Sequence, residues 1–172
     1  IYNEIAATRP DLLEPLFHGY RYHWFGEQPP GEGVVTSYDV PVFGHAGGRL
    51  SCIFLREFIH MAAEELGKPL GEKEAEALTL FGEIAEREDI QFRYRLEPGW
   101  ASFINNYTTL HSRTGFEDWE EIEKRRMLLR LWLKGQPARP LVENQKRYYG
   151  EDGMHVDGRE NTIFDPNRQA AE

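Results

Sequence analysis

The sequence predicts a mainly β fold with helices packed against it, and three observations carry that expectation. Several stretches alternate apolar and polar residues between Gly-, Pro- or Asn-rich turns, a strand pattern. Two segments, Arg56–Leu66 and Glu72–Glu86, space their apolar residues at helical intervals. A last apolar element, Arg125–Leu133 (RRMLLRLWL), alternates imperfectly, so strand against helix stays open there.

The elements follow in order. Pro10–Phe17 reads as a short helix, with Pro at its start and Asp11 and Glu14 in its first turn. Gly19–Trp24 (GYRYHW) alternates as a strand, and Gln28–Gly33 (QPPGEG) is a loop. Val34–Phe43 and Arg49–Leu55 flank the turn His45-Ala46-Gly47-Gly48 and predict a hairpin. The two helices follow, separated by Gly67, Pro69 and Gly71. Ile90–Leu96 and Trp100–Asn106 read as strands joined by the turn Glu97-Pro98-Gly99. An acidic loop carrying Phe116 and Trp119 leads to Arg125–Leu133. Residues 1–134 are read as part of one domain, and residues 135–172 as an irregular polar tail that is mobile or wrapped on a partner.

Composition bounds the function. The chain has 172 residues, 40% of them hydrophobic, enough for one domain with a sizeable core. A net charge of -9 argues against nucleic acid or an anionic membrane as partner. Cys52 is the one cysteine, so no intrachain disulfide can form, and a reducing cytoplasmic setting fits. No apolar run reaches the roughly 18 residues of a membrane span. The start, IYNEIAATRPDLLEPL, lacks a signal-peptide core and reads as the middle of something larger.

The chemistry-bearing residues lie between Leu96 and Leu133. His111 follows a strand pattern that ends in Asn105-Asn106, and a neutral imidazole at a strand end suits a transition metal. Arg126 and Arg130 stand four apart among Met127, Leu128, Leu129, Leu131 and Trp132. Guanidinium groups in such surroundings call for an anion, and arginine grips a carboxylate with two donors. The competing reading pairs both with acids of the Glu117–Glu123 run. Cys52 reads as a small buried hydrophobe, and Tyr20, Tyr22, Trp24 and Phe25 as core or interface.

Three stretches, RPDLLEPLF, PVF…GGRLSCIFLREFI and LEPGWASFINNYTTLHSRTGFED…RRMLLRLWL, together resemble the C-terminal half of the taurine dioxygenase family. These are Fe(II)/2-oxoglutarate-dependent oxygenases, including clavaminate synthase-like and γ-butyrobetaine hydroxylase-like members. The resemblance spans about Arg9 to Leu133 and is most specific in the last stretch. It implies a double-stranded β-helix (jelly roll), here incomplete at the N-terminus, with helices outside. It implies Fe(II) as cofactor, 2-oxoglutarate as cosubstrate and a small-molecule substrate that is hydroxylated or oxidised at a C–H bond. By the motif, His111 looks like the distal iron ligand and Arg126 like the clamp on the far carboxylate of 2-oxoglutarate. Arg130 then lies near cosubstrate or substrate, and Asn105 and Asn106 line the site.

The chain departs from the family pattern in three places. Gly99-Trp100 replaces Gly-Asp, and His111-Ser112-Arg113 replaces His-Gly-Arg. The family's His-x-Asp/Glu ligand pair is absent before His111, and the triplet of that form, His155-Val156-Asp157, comes after it in the tail. A missing N-terminal segment or a homo-oligomer would complete such a site. The rival reading is a non-catalytic jelly-roll scaffold without iron, and a cupin-like isomerase or lyase stands third.

Overall fold

The computed structural model describes residues 1–133, 135 and 137–149. The N-terminus is helical: α1 (Tyr2–Thr8), a 3-10 turn at Pro10–Leu12, and α2 (Leu13–His18). A hairpin follows, β1 (Phe43–Ala46) and β2 (Arg49–Cys52), antiparallel with Phe43 opposite Cys52 and Ala46 opposite Arg49. Then come α3 (Arg56–Glu65) and α4 (Glu72–Ala85), a 3-10 turn at Ile122–Lys124, and α5 (Glu143–Tyr149).

The helices fall where apolar spacing puts them. α4 starts where the Glu74 carboxylate reaches back 2.7 Å to the Gly71 N–H, satisfying a donor that helix geometry leaves free. Its buried face, Ala77, Leu78, Phe81 and Ile84, shares one core cluster with Ile5 of α1, Leu12 and Leu16. Phe81 stacks on Phe54 at 4.0 Å between ring centroids and meets Phe43 of β1 at 5.6 Å. The core therefore lies between the helices and the hairpin.

The mainly β, jelly-roll expectation is overturned. Among the described residues the sheet has two strands, and helix exceeds strand. Gly19–Trp24 and Val34–Phe43 do run antiparallel, but only isolated bridges form, Tyr20 with Val40 and His23 with Val35. Thr36 interrupts the ladder: its hydroxyl accepts the Tyr22 N–H at 3.0 Å and donates to the Tyr38 carbonyl at 2.8 Å.

Ile90–Leu96, Trp100–Asn106 and Arg125–Leu133 form no strands. Alternation describes a surface that fits a half-buried sheet, and a strand also needs a neighbour for its backbone donors and acceptors. These stretches have none, and Phe92, Phe103 and Leu131 stand more than 80% exposed.

The stretch from 135 on was expected to be irregular, yet α5 packs into the core. Tyr148 lies 5.1 Å from the Tyr22 ring and 5.0 Å from Trp24. Gln145 is fully buried and donates to the Pro41 carbonyl at 3.1 Å. No described helix is long and apolar enough to cross a membrane.

Gly19 closes α2 at φ +99 and ψ -175, a conformation that side chains bar. A Cβ there would sit 2.5 Å from the Val40 carbonyl carbon. Gly19→Ala is expected to cost about 2–4 kcal/mol, from strain plus a clash with rigid backbone, measured by urea unfolding. An unchanged midpoint would contradict this geometry.

Candidate active site

Tyr107 ties the segment carrying the candidate residues to the hairpin. The Cys52 N–H, on the outer edge of β2, donates to the Tyr107 carbonyl at 2.9 Å. Around this anchor the chain turns tightly. The Asn105 side-chain oxygen accepts the Tyr107 N–H at 3.0 Å, and the Asn105 carbonyl accepts the N–H groups of Thr108 and Thr109 at 3.1 and 3.0 Å. Asn105 is thus committed to a local turn. Asn106 beside it is half-buried.

Beyond the turn, His111 is exposed and meets Arg130: one guanidinium nitrogen lies 2.7 Å from His111 Nε2. An arginine can only donate, so Nε2 accepts and the ring proton sits on Nδ1. The Nε2 lone pair that a metal ion would take is therefore turned toward Arg130. The Arg130 guanidinium also lies over the Trp132 ring at 5.3 Å, a cation–π contact that holds the side chain.

Arg126 is exposed, and its backbone N–H donates to Asp118 at 3.1 Å. The pairing of Arg126 and Arg130 with the acidic run is not formed among the described residues. Asp118 instead accepts the backbone N–H groups of Trp119 and Arg126, and Glu121 pairs with Lys124 at 2.7 Å. The Arg126 guanidinium is thus without an acidic partner among the described residues, whereas Arg130 is engaged with His111 and Trp132.

A metal is a different matter. Among the described residues no three His, Cys, Asp or Glu side chains gather closely enough to hold one. His155-Val156-Asp157 lies outside the described residues. The described residues do not by themselves fit an iron ion: of the candidate site residues only His111 offers an imidazole.

The remaining candidates have structural roles. Burial pushes the Cys52 thiol up to about 12, which keeps it protonated and unreactive near neutral pH. Tyr20, Tyr22 and Trp24 are core residues, and the exposed Phe25 stacks on Phe58 at 5.5 Å. Sequence reasoning missed Tyr107 and Tyr149, whose rings meet edge to face at 5.5 Å. Their one signal was aromatic character, just past a predicted strand for Tyr107 and in the predicted tail for Tyr149.

A segment that sets His111 against Arg130, hung on a hairpin backed by helices, defines a class of helix-and-hairpin domain with an imidazole and a guanidinium in contact. Comparison with known proteins gives that class its family. Residues 1–132 match the family described as taurine catabolism dioxygenase TauD, TfdA family, and the chain belongs to it. It is 37% identical over 142 residues to FR-33289 synthase of Streptomyces rubellomurinus, covering 81% of this chain and 41% of that protein. It is 32% identical over 136 residues to taurine hydroxylase-like protein SAT17 of Stachybotrys chartarum, covering 76% of this chain and 33% of that protein. The chain thus spans less than half the length of either relative.

Proposed function

We propose that this chain is the carboxylate-binding part of an iron- and 2-oxoglutarate-dependent oxygenase. The reaction is hydroxylation or a related C–H oxidation of a small molecule, with 2-oxoglutarate converted to succinate and CO2. Family membership and the two relatives support this reading. The observation that carries it is the match of residues 1–132 to the family, and within that part the Arg130–His111 contact puts a guanidinium beside an imidazole.

The chain's own residues then have defined work. Arg126 binds the distal carboxylate of 2-oxoglutarate through two parallel N–H donors. Arg130 leaves His111 when an anion and a cation compete for the two partners, so binding of one frees the other's site. The exposed apolar side chains of residues 92–133 support an active form in which further polypeptide, or a second copy, covers this surface.

The complete protein is expected to release succinate from 2-oxoglutarate only when Fe(II) is supplied. Arg126→Ala should raise KM for 2-oxoglutarate roughly tenfold or more, since a charge-assisted contact contributes about 1.5–3 kcal/mol. A KM unchanged in Arg126→Ala removes Arg126 from the cosubstrate site. The scaffold reading draws support from the lack of a three-ligand cluster among the described residues, and metal analysis of the complete protein separates the two. Iron near one per active unit supports the oxygenase; no iron uptake supports the scaffold.

A further inference from the structure

The residues after the family-matching part run back across the hairpin as a strap. Arg139 donates to the Ser51 hydroxyl at 2.9 Å and to the Leu50 carbonyl. Pro140 lies so close to Gly47 that a Cβ there would come within 2.7 Å of its ring. Asn144 donates to the Asp39 carbonyl at 2.8 Å, and the Arg147 guanidinium lies 3.9 Å over the Tyr38 ring while reaching Glu32 at 3.1 Å. The strap is therefore fixed at both ends to residues 32–52.

Its last helical residue faces the candidate site. The Tyr149 ring meets the Tyr107 ring at 5.5 Å and 89°, the edge-to-face arrangement that aromatic quadrupoles favour. Burial raises both phenols above their ordinary range, so both rings are neutral near pH 7 and the contact is one of ring packing. Tyr107 is also where the Cys52 N–H takes the backbone of the site segment. β2 thus holds Tyr107 by its carbonyl, and α5 holds it by its ring.

We propose that Tyr149 is a positioning residue: through Tyr107 it fixes the turn of Asn105 and Asn106, and the start of the run to His111, against the hairpin. Residues 137–149, outside the part that matches the family, then take part in shaping the site. The catalytic consequence rests on the oxygenase reading above; the positional one does not.

Two readouts on the complete protein keep these apart. The first is amide hydrogen exchange at Cys52, whose N–H bonds to Tyr107, against Ile53, whose N–H bonds to Val42 within the hairpin region at 2.9 Å. Tyr149→Ala should speed exchange at Cys52 roughly tenfold while Ile53 stays protected, and Tyr149→Phe, which keeps the ring, should restore it. The second is KM for 2-oxoglutarate, expected to rise severalfold in Tyr149→Ala and to recover in Tyr149→Phe, with a smaller change in kcat. Should Tyr149→Ala fail to fold, Tyr107→Ala removes the same contact from the half-buried side and must show the same selective loss at Cys52. Selective exchange without any succinate formation would keep the positioning role and reject the oxygenase. Equal exchange at Cys52 in wild type and the folded alanine variant would overturn the proposal.

Discussion

His111→Ala in the complete protein is expected to lower Fe(II)-dependent succinate release by more than about 100-fold. Loss of a mere outer-shell partner of a metal-bound histidine typically costs 10–100-fold, and this change removes the proposed ligand itself. Two features sharpen the expectation. His111 is exposed and belongs to no core cluster, so its removal leaves the fold intact and a loss of activity cannot be blamed on unfolding. Its Nε2 already accepts a hydrogen bond from Arg130, so the ring is held as the tautomer that offers a lone pair at that atom. Iron stoichiometry should fall with activity. Full succinate release with full iron content in His111→Ala would remove this residue from the metal site and with it the central assignment.

The same residue shows how far the sequence can be read. His111, Arg126 and Arg130 stand out in the sequence by motif spacing, which does not depend on which secondary structure forms; the structure brings His111 and Arg130 together but leaves all three exposed, so the expected burial of guanidinium among leucines does not hold. The helices are legible as well: the spacing of Ala77, Leu78, Phe81 and Ile84 marks a buried face whatever packs on it. The β elements are not legible in this way. Arg49–Cys52 forms a strand because Phe43–Ala46 lies beside it, joined by a turn whose Gly47 and Gly48 both adopt positive φ. Ile90–Leu96 alternates more cleanly yet forms none, because alternation states only which face is apolar and not what the backbone can pair with. The strap was lost for a related reason. Gln145 and Tyr148 bury one face of a helix of seven residues, too short and too polar to stand out from its surroundings. Sequence thus gives amphipathic helices well, and long-range pairing poorly.

Phe81→Ala is expected to cost the most stability of any single truncation in the core, about 3–5 kcal/mol. The ring is fully buried, stacked on Phe54 at 4.0 Å and in contact with Phe43 at 5.6 Å. Ile5, Leu12 and Leu16 belong to the same cluster, and exposed Arg87–Glu4 and Arg9–Glu76 ion pairs link the N-terminal segment to α4 and the residues just after it. For a chain of this size the melting temperature should fall by about 6–20 °C. Thr79→Ala, two residues earlier on the exposed face of α4, is the control and should change stability by less than about 0.5 kcal/mol. The effect should also reach the site. Phe43 carries β1, β1 pairs with β2, and β2 holds Tyr107 through the Cys52 N–H, so a cavity beneath the hairpin loosens the support of the whole 105–111 turn. Amide exchange in Phe81→Ala should therefore quicken at Ile53 and Cys52 together, unlike the selective loss at Cys52 expected when the Tyr149 ring is removed. A melting temperature within 2 °C of wild type would mean that the Phe43–Phe54–Phe81 stack does not support the hairpin.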